Sequence, residues 1–232
     1  MDSSIGGKTG INTKTGKNLI GSFYQPNLVV SDILFLKTLP KREIICGYGE
    51  ILKHAIIANK KFYNFLDKNY KKILKLSSPF IEKAIFESCK IKKSVVEKDE
   101  KEKGVRKVLN FGHTFAHAYE ASLGYSNKLN HGEAVILGMQ TALRFSLENN
   151  LLKQNEYHSI INHISKVELP SEIKEYFKIR DLNKILLFMS KDKKNNTDKI
   201  NLILLNKIGF PIINKQYGKN YLSTFLKNVL RN

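Results

Sequence analysis

Apolar residues recurring every three to four positions dominate this chain. The stretches "REIICGYGEILKHAIIANKKFYNFL", "PFIEKAIFESCKIKKSVVEKDE", "HTFAHAYEASL" and "GEAVILGMQTALRFSLENN" all carry the spacing that gathers apolar side chains on one helix face. A mainly α fold is therefore predicted, with its body beginning at residue 41. Ahead of it, residues 1–18, "MDSSIGGKTGINTKTGKN", are rich in Gly, Ser, Thr and Asn and read as a polar loop. "NLVVSDILFL", bounded by "YQP" and "TLP", reads as one short buried strand, for which the chain supplies hardly any sheet partners. Near the other end "KINLILLNKIGFPIIN" has two β-rich halves around "NKIG" and predicts a hairpin, followed by a last helix in "YLSTFLKNVL". There is no internal repeat and no long low-complexity linker. The expected organisation is a loop plus one strand over residues 1–40 and an α-helical domain over residues 41–232.

The charge is unbalanced, with 39 Lys and Arg against 21 Asp and Glu, a net +18 over 232 residues. Such an excess favours anionic partners, whether nucleic acid, acidic lipid or phosphorylated metabolites. Much of it sits in runs such as "NKKFYNFLDKNYKKILK", which ordinarily form solvated faces. No nucleic-acid motif is recognisable, and aromatic residues are not interleaved with the cations as a base-stacking platform requires, so no nucleic-acid partner is expected. No apolar run approaches the roughly 18 residues of a membrane span. Two cysteines, Cys46 and Cys89, without a secretory leader pattern, fit a reduced, cytoplasmic protein with no disulfide framework.

Chemistry-bearing residues concentrate in the middle of the chain. His113 and His117 stand four apart, share one helix face and can hold a metal ion together. The position after His113 is Thr114, which excludes the metalloprotease pattern with its glutamate there. His131 in "NHGEAV" and Glu50 in "GYGEILKHA" are further candidate ligands. Glu50 is the more telling, because a carboxylate among small and aliphatic residues is costly to bury unless paired or metal-bound. Each histidine alone reads more simply as a satisfied core or cap residue; the group together favours a metal. Lys53, at i+3 from Glu50, either forms an ion pair or, beside a metal, binds an anionic substrate. Lys8 and Lys17 flank the Gly-rich "GGKTG" and "GKN", where backbone N–H groups can approach phosphate, although the full P-loop spacing is missing. Lys92, Arg106, Lys193 and Lys194 read by default as ordinary surface cations. Asn110, three residues before His113, can face the same site.

Four separated stretches, "DSSIGGKTGINTKTGKNLIGSFYQP", "FLKTLPKREIICGYGEILKHAII", "VVEKDEKEKGVRKVLNFGHTFAHAYE" and "HGEAVILGM", closely resemble the 3-dehydroquinate synthase family over nearly the whole chain. The resemblance implies an NAD- and zinc-dependent enzyme of the shikimate pathway, a carbon–oxygen lyase converting 3-deoxy-D-arabino-heptulosonate 7-phosphate into 3-dehydroquinate and phosphate, with Co²⁺ an alternative metal. It makes Glu50, His113 and His131 the metal ligands and His117 a catalytic residue in proton traffic. It assigns Asp2, Lys8, Lys53, Arg106 and Asn110 catalytic roles and Asn18, Lys92, Glu102, Lys193 and Lys194 the substrate pocket. Lys8, Lys17, Phe35, Leu36, Lys37, Thr38, Leu39 and Glu43 match the part of the NAD site contributed here. A small sugar-phosphate substrate and a homodimer are implied with it.

Members of this family carry an α/β nucleotide-binding portion ahead of the "DSSIGGKTG" motif. The chain opens with Met1 on Asp2, so the resemblance implies a C-terminal piece, with residues 1–40 a remnant of the preceding domain and catalysis dependent on a separate N-terminal fragment. Ala116 replaces the usual Gly of the "GHTFGHA" pattern; an extra methyl there is tolerable in a helix but can crowd the pocket. Asn130, where an apolar residue is usual, is expected to cap a helix. Rival readings are another sugar-phosphate cyclase, a polyol dehydrogenase of the wider superfamily, an inactive fragment and a basic nucleic-acid-binding protein. Lys92, Arg106 and Asn110 favour the keto-acid substrate over the first of these.

Overall fold

The computed structural model describes residues 3–13, 16–170, 172–191 and 199–231, with the side chains at 12, 13, 16–19 and 191 outside the description. Two long helices form the centre because their sequences are apolar nearly all round. In α1 (Lys41–Ala58) Ile51, Leu52, Ala55 and Ile56 are buried, and in α5 (His131–Glu148) so is the run Ala134–Leu137 together with Met139. Against them lie α2 (Lys60–Leu74), α3 (Phe80–Lys98) and the short α4 (His113–Ser122). α2 is amphipathic, burying Phe62, Tyr63, Leu66 and Ile73 while its lysines face outward. Asn59 separates α1 from α2: its side chain accepts from the Phe62 amide at 3.0 Å and starts a new helix. The expected cap at Asn130 is present as a full capping box with Glu133, each side chain accepting from the other's backbone N–H at 3.0 Å.

The chain continues through α6 (Gln154–Lys166) and α7 (Leu182–Lys191), then the expected hairpin of β3 (Lys199–Lys207) and β4 (Phe210–Gly218), and ends in α8 (Lys219–Arg231). Leu202, Leu204 and Leu205 press the hairpin onto α5, and the Leu205 amide donates to Ser146 Oγ at 3.1 Å. The mainly α expectation holds, and no described helix is long and apolar enough to cross a membrane.

The first 40 residues differ from expectation in two respects. What reads as a polar loop contains an antiparallel hairpin, β1 (Lys8–Thr13) with β2 (Gly16–Phe23), pairing Lys8 with Phe23 and Ile11 with Ile20. Thr9 Oγ1 adds a bond to the Ser22 carbonyl at 2.9 Å. Ladder bonds hold this hairpin, and a Gly/Thr/Ser composition does not advertise them. Conversely, "NLVVSDILFL" is not a strand. Leu28 and Val30 are nearly four-fifths exposed, and Asp32 accepts from the Leu34 amide at 2.8 Å to start a 3₁₀ turn over Ile33–Thr38. Its β-branched residues find no neighbouring strand among the described residues, so the local side-chain cap decides.

Candidate metal and substrate site

Three elements converge on one point: the middle of α1 carrying Glu50, the first residue of α4, His113, and the first residue of α5, His131. One ligand-type atom from each lies within 4.8 Å of the other two. The rings of His113 and His131 are 5.6 Å apart between centroids, and His117 is 5.4 Å from His113 and 6.2 Å from His131. The convergence depends on close helix approach. Gly112 precedes α4 with φ +81°, and a Cβ there would sit 2.6 Å from the Met139 amide nitrogen of α5. At Gly132 a Cβ would lie 2.7 Å from the Cys46 Cα of α1. Arg42 locks the same corner, with Nε and Nη2 donating to the two Glu133 oxygens at 2.7 and 2.6 Å. The pair is 91 residues apart, so no sequence pattern announces it.

The electrostatics leave His113 able to act as a ligand. Lys53 is 3% exposed and donates to Glu50 Oε2 at 2.6 Å, which makes the expected i,i+3 pair a buried one. Burial, followed by the nearby Lys53 ammonium, holds the His113 pKa well below the usual histidine value, so its ring is neutral at pH 7. Its Nδ1 lies 3.3 Å from the Phe111 carbonyl; donation there leaves Nε2 as the ligating nitrogen. Two imidazoles and a carboxylate within reach of one another fit a zinc-type ion with an open position for substrate.

A cavity of about 550 Å³ adjoins this cluster. Its lining includes Leu36, Leu39, Glu43 and Cys46 beside Glu50 and His131, which joins part of the expected nucleotide segment to the metal candidates. Phe35, Lys37 and Thr38 share the 3₁₀ turn and are exposed. Cys46 donates to Asn130 Oδ1 at 3.0 Å, and burial raises its thiol pKa. Cys46 and Cys89 are not joined by a disulfide.

The expected substrate residues form a second group. Glu102, in the left-handed region at φ +56°, receives the Lys8 ammonium and the Asn110 amide. Arg106 is 2% exposed, donates to the Gly6 carbonyl at 2.7 Å and to the Glu100 carbonyl, and stacks near Phe23. The glycine pair before Lys8 thus has a packing role: a Cβ at Gly6, where φ is +106°, would lie 2.5 Å from Arg106 Nη2. Lys92 is half-buried on α3, and His117 is exposed on α4. Asp2, Lys193 and Lys194 lie outside the described residues, as do the side chains of Lys17 and Asn18. Ala116 does not crowd the site. It is fully buried against α5, where a Cβ built on Gly138 would be 3.2 Å from its methyl, so the space it needs is left by a glycine on the partner helix. A residue the sequence reading passed over is Asp99, which accepts from the amides of Lys103, Gly104 and Arg106 at 2.9, 2.7 and 3.0 Å and shapes the Glu102 loop. An acid five residues before a glycine is its only local signal.

Known proteins share this fold. The model described as 3-dehydroquinate synthase C-terminal matches residues 47–195, and that described as 3-dehydroquinate synthase N-terminal matches residues 1–46. A 3-dehydroquinate synthase of Pelagibacter ubique is 62% identical over 99% of this chain and 62% of its own length. That of Bartonella quintana is 40% identical over 99% of this chain and 61% of its own. The chain therefore spans about three fifths of the length of these curated relatives. A solved 2-deoxy-scyllo-inosose synthase, complexed with carbaglucose-6-phosphate, NAD⁺ and Co²⁺, superposes with TM-score 0.84 at 26% identity, over 99% of this chain and 63% of that one. The 2-epi-5-epi-valiolone synthase of Streptomyces hygroscopicus, with NAD⁺ and Zn²⁺ bound, has the same fold, with TM-score 0.87 at 21% identity over 99% of this chain and 63% of its own. From matches that run continuously over residues 1–195, on a fold shared with these two solved synthases, it follows that the chain belongs to the 3-dehydroquinate synthase family.

Proposed function

We propose that this chain carries the metal- and substrate-binding part of a 3-dehydroquinate synthase, which turns 3-deoxy-D-arabino-heptulosonate 7-phosphate into 3-dehydroquinate and phosphate. The observation that carries the reading is the convergence of Glu50, His113 and His131, with buried Lys53 beside them and a cavity reaching Leu36, Leu39 and Glu43. Glu50, His113 and His131 would hold Zn²⁺ or Co²⁺, and the cavity edge would take part of NAD. When bound, these groups supply a Lewis acid at the substrate hydroxyls and a reversible hydride acceptor, so no net oxidation is needed.

The chain's own residues do the rest. His117, exposed beside the ligands, is placed to carry a proton to or from a substrate oxygen. Lys53 orients Glu50 by its ion pair. Lys8 and Asn110, gathered by Glu102, present a cation and an amide for the substrate's phosphate and carboxylate, with Lys92 on the neighbouring helix. Arg106 fixes the loop between them through its two carbonyl contacts. Family membership also leads us to infer a homodimer, to be read by light scattering, where a monomer mass overturns it.

The test is phosphate release from the heptulosonate phosphate by the purified chain supplied with NAD⁺ and Zn²⁺. Turnover that His113→Ala abolishes supports the reading. Release that persists in that variant, or turnover of a hexose phosphate in place of the keto-acid, overturns it.

A further inference from the structure

Glu120 is a carboxylate at 2% exposure. It lies on α4 seven residues after His113 and three after His117, so the three share one helix face. Its Oε2 is 3.2 Å from Nδ1 of His131 on α5. A carboxylate is expensive to hold in a helix interface, and its position against a ring nitrogen calls for a reason. An imidazole has two nitrogens whose lone pairs diverge. Donation from Nδ1–H to Glu120 fixes the tautomer and leaves the Nε2 lone pair directed away from Glu120.

We propose that Glu120 is the positioning residue of His131: it holds the ring plane and tautomer so that Nε2 faces the ion shared with Glu50 and His113. This rests on the metal reading of the site. His117, Glu120 and His131 also bring ligand-type atoms within 4.8 Å of one another, so direct ligation by Glu120 is the competing assignment. Divergence of the two ring nitrogens separates them. An ion on Nε2 cannot also be reached by a carboxylate seated on Nδ1.

The experiment titrates Co²⁺ into the apo chain, following the visible absorption of the bound ion against a competing chelator. It compares the parent with Glu120→Gln, which keeps an acceptor oxygen, Glu120→Leu, which removes it at similar volume, and His113→Ala. Thermal melts of the apo forms report folding. Glu120→Leu is expected to weaken Co²⁺ binding about 10- to 100-fold and to alter the absorption bands, and Glu120→Gln to recover most of the affinity. Ring ¹⁵N shifts of His131 in the apo parent are expected to show the Nδ1–H tautomer and to lose that preference in Glu120→Leu. If Glu120→Leu does not fold, the parent's tautomer and the Glu120→Gln affinity decide, and an Nε2–H ring in the parent overturns the proposal. Unchanged affinity and bands in Glu120→Leu overturn it while the metal site stands. A second Co²⁺ equivalent that disappears in Glu120→Gln overturns it in favour of direct ligation. If the parent takes up no Co²⁺, or His113→Ala binds it equally well, the metal reading fails instead, and with it the proposed role.

Discussion

Gly→Ala is expected to have opposite signs at Gly132 of α5 and Gly47 of α1. Gly132, the second residue of α5, packs on α1 so closely that an added Cβ would be 2.7 Å from Cys46 Cα, well inside van der Waals contact. The obstacle is main chain, so no rotamer change relieves it and the start of α5 must move outward. Overpacking of this kind costs about 1–3 kcal/mol, against which the helix-propensity gain of alanine near a helix start returns a few tenths to about 1 kcal/mol. A net loss of about 1–2 kcal/mol results. Gly47 lies within α1, and a Cβ there meets nothing within 4 Å, so Gly47→Ala is expected to stabilise by about 0.5–1 kcal/mol. The two variants should differ by roughly 1.5–3 kcal/mol in urea unfolding. Because Gly132 follows His131 and touches the turn before Glu50, Gly132→Ala should also weaken Co²⁺ binding, and Gly47→Ala should not. A Gly132→Ala chain as stable as the parent would refute the argument that this contact sets the spacing of the two helices.

Three further outcomes are expected. His163 is fully buried, with Nδ1 2.9 Å from Asp67 and Nε2 2.8 Å from the Tyr48 hydroxyl; burial lowers its pKa below 6.5 despite Asp67, so the folded state holds the neutral ring. Its contribution is complete above about pH 6.5 and is lost as pH falls through the lowered folded value, so the stability gap between the parent and His163→Gln should narrow from pH 7 to pH 5 in urea melts; a constant gap refutes this. Asn130→Ala removes the α5 cap and should cost about 1 kcal/mol, with Asn130→Asp recovering most of it; an unchanged melting curve for the alanine variant argues against the capping role. Asp99→Ala should speed hydrogen exchange at the amides of Lys103, Gly104 and Arg106 and leave that at α5 unchanged; equal protection in the variant would show that other contacts hold the loop.

Local pattern made the helical body legible. The 3.6-residue spacing marks the cores of α1 to α5 and α8, and "NKIG" marks the β3–β4 hairpin, because apolar faces and turn residues act within a few positions of themselves. The same reasoning misreads the first 40 residues, where the β1–β2 ladder pairs residues of weak intrinsic preference and a β-rich segment without a neighbour becomes a 3₁₀ turn. Among the site residues, His113, His131 and Glu50 stand out by type and spacing, but nothing local says that Lys53 is buried, that Arg106 is spent on backbone carbonyls, or that Ala116 faces Gly138. Residue types and periodicity alone determined a mainly α chain with a candidate metal-binding set. Which atoms come within 4.8 Å of one another was decided only by tertiary structure, since that distance depends on how closely α1, α4 and α5 approach at their glycines, contacts between residues 27 to 86 positions apart.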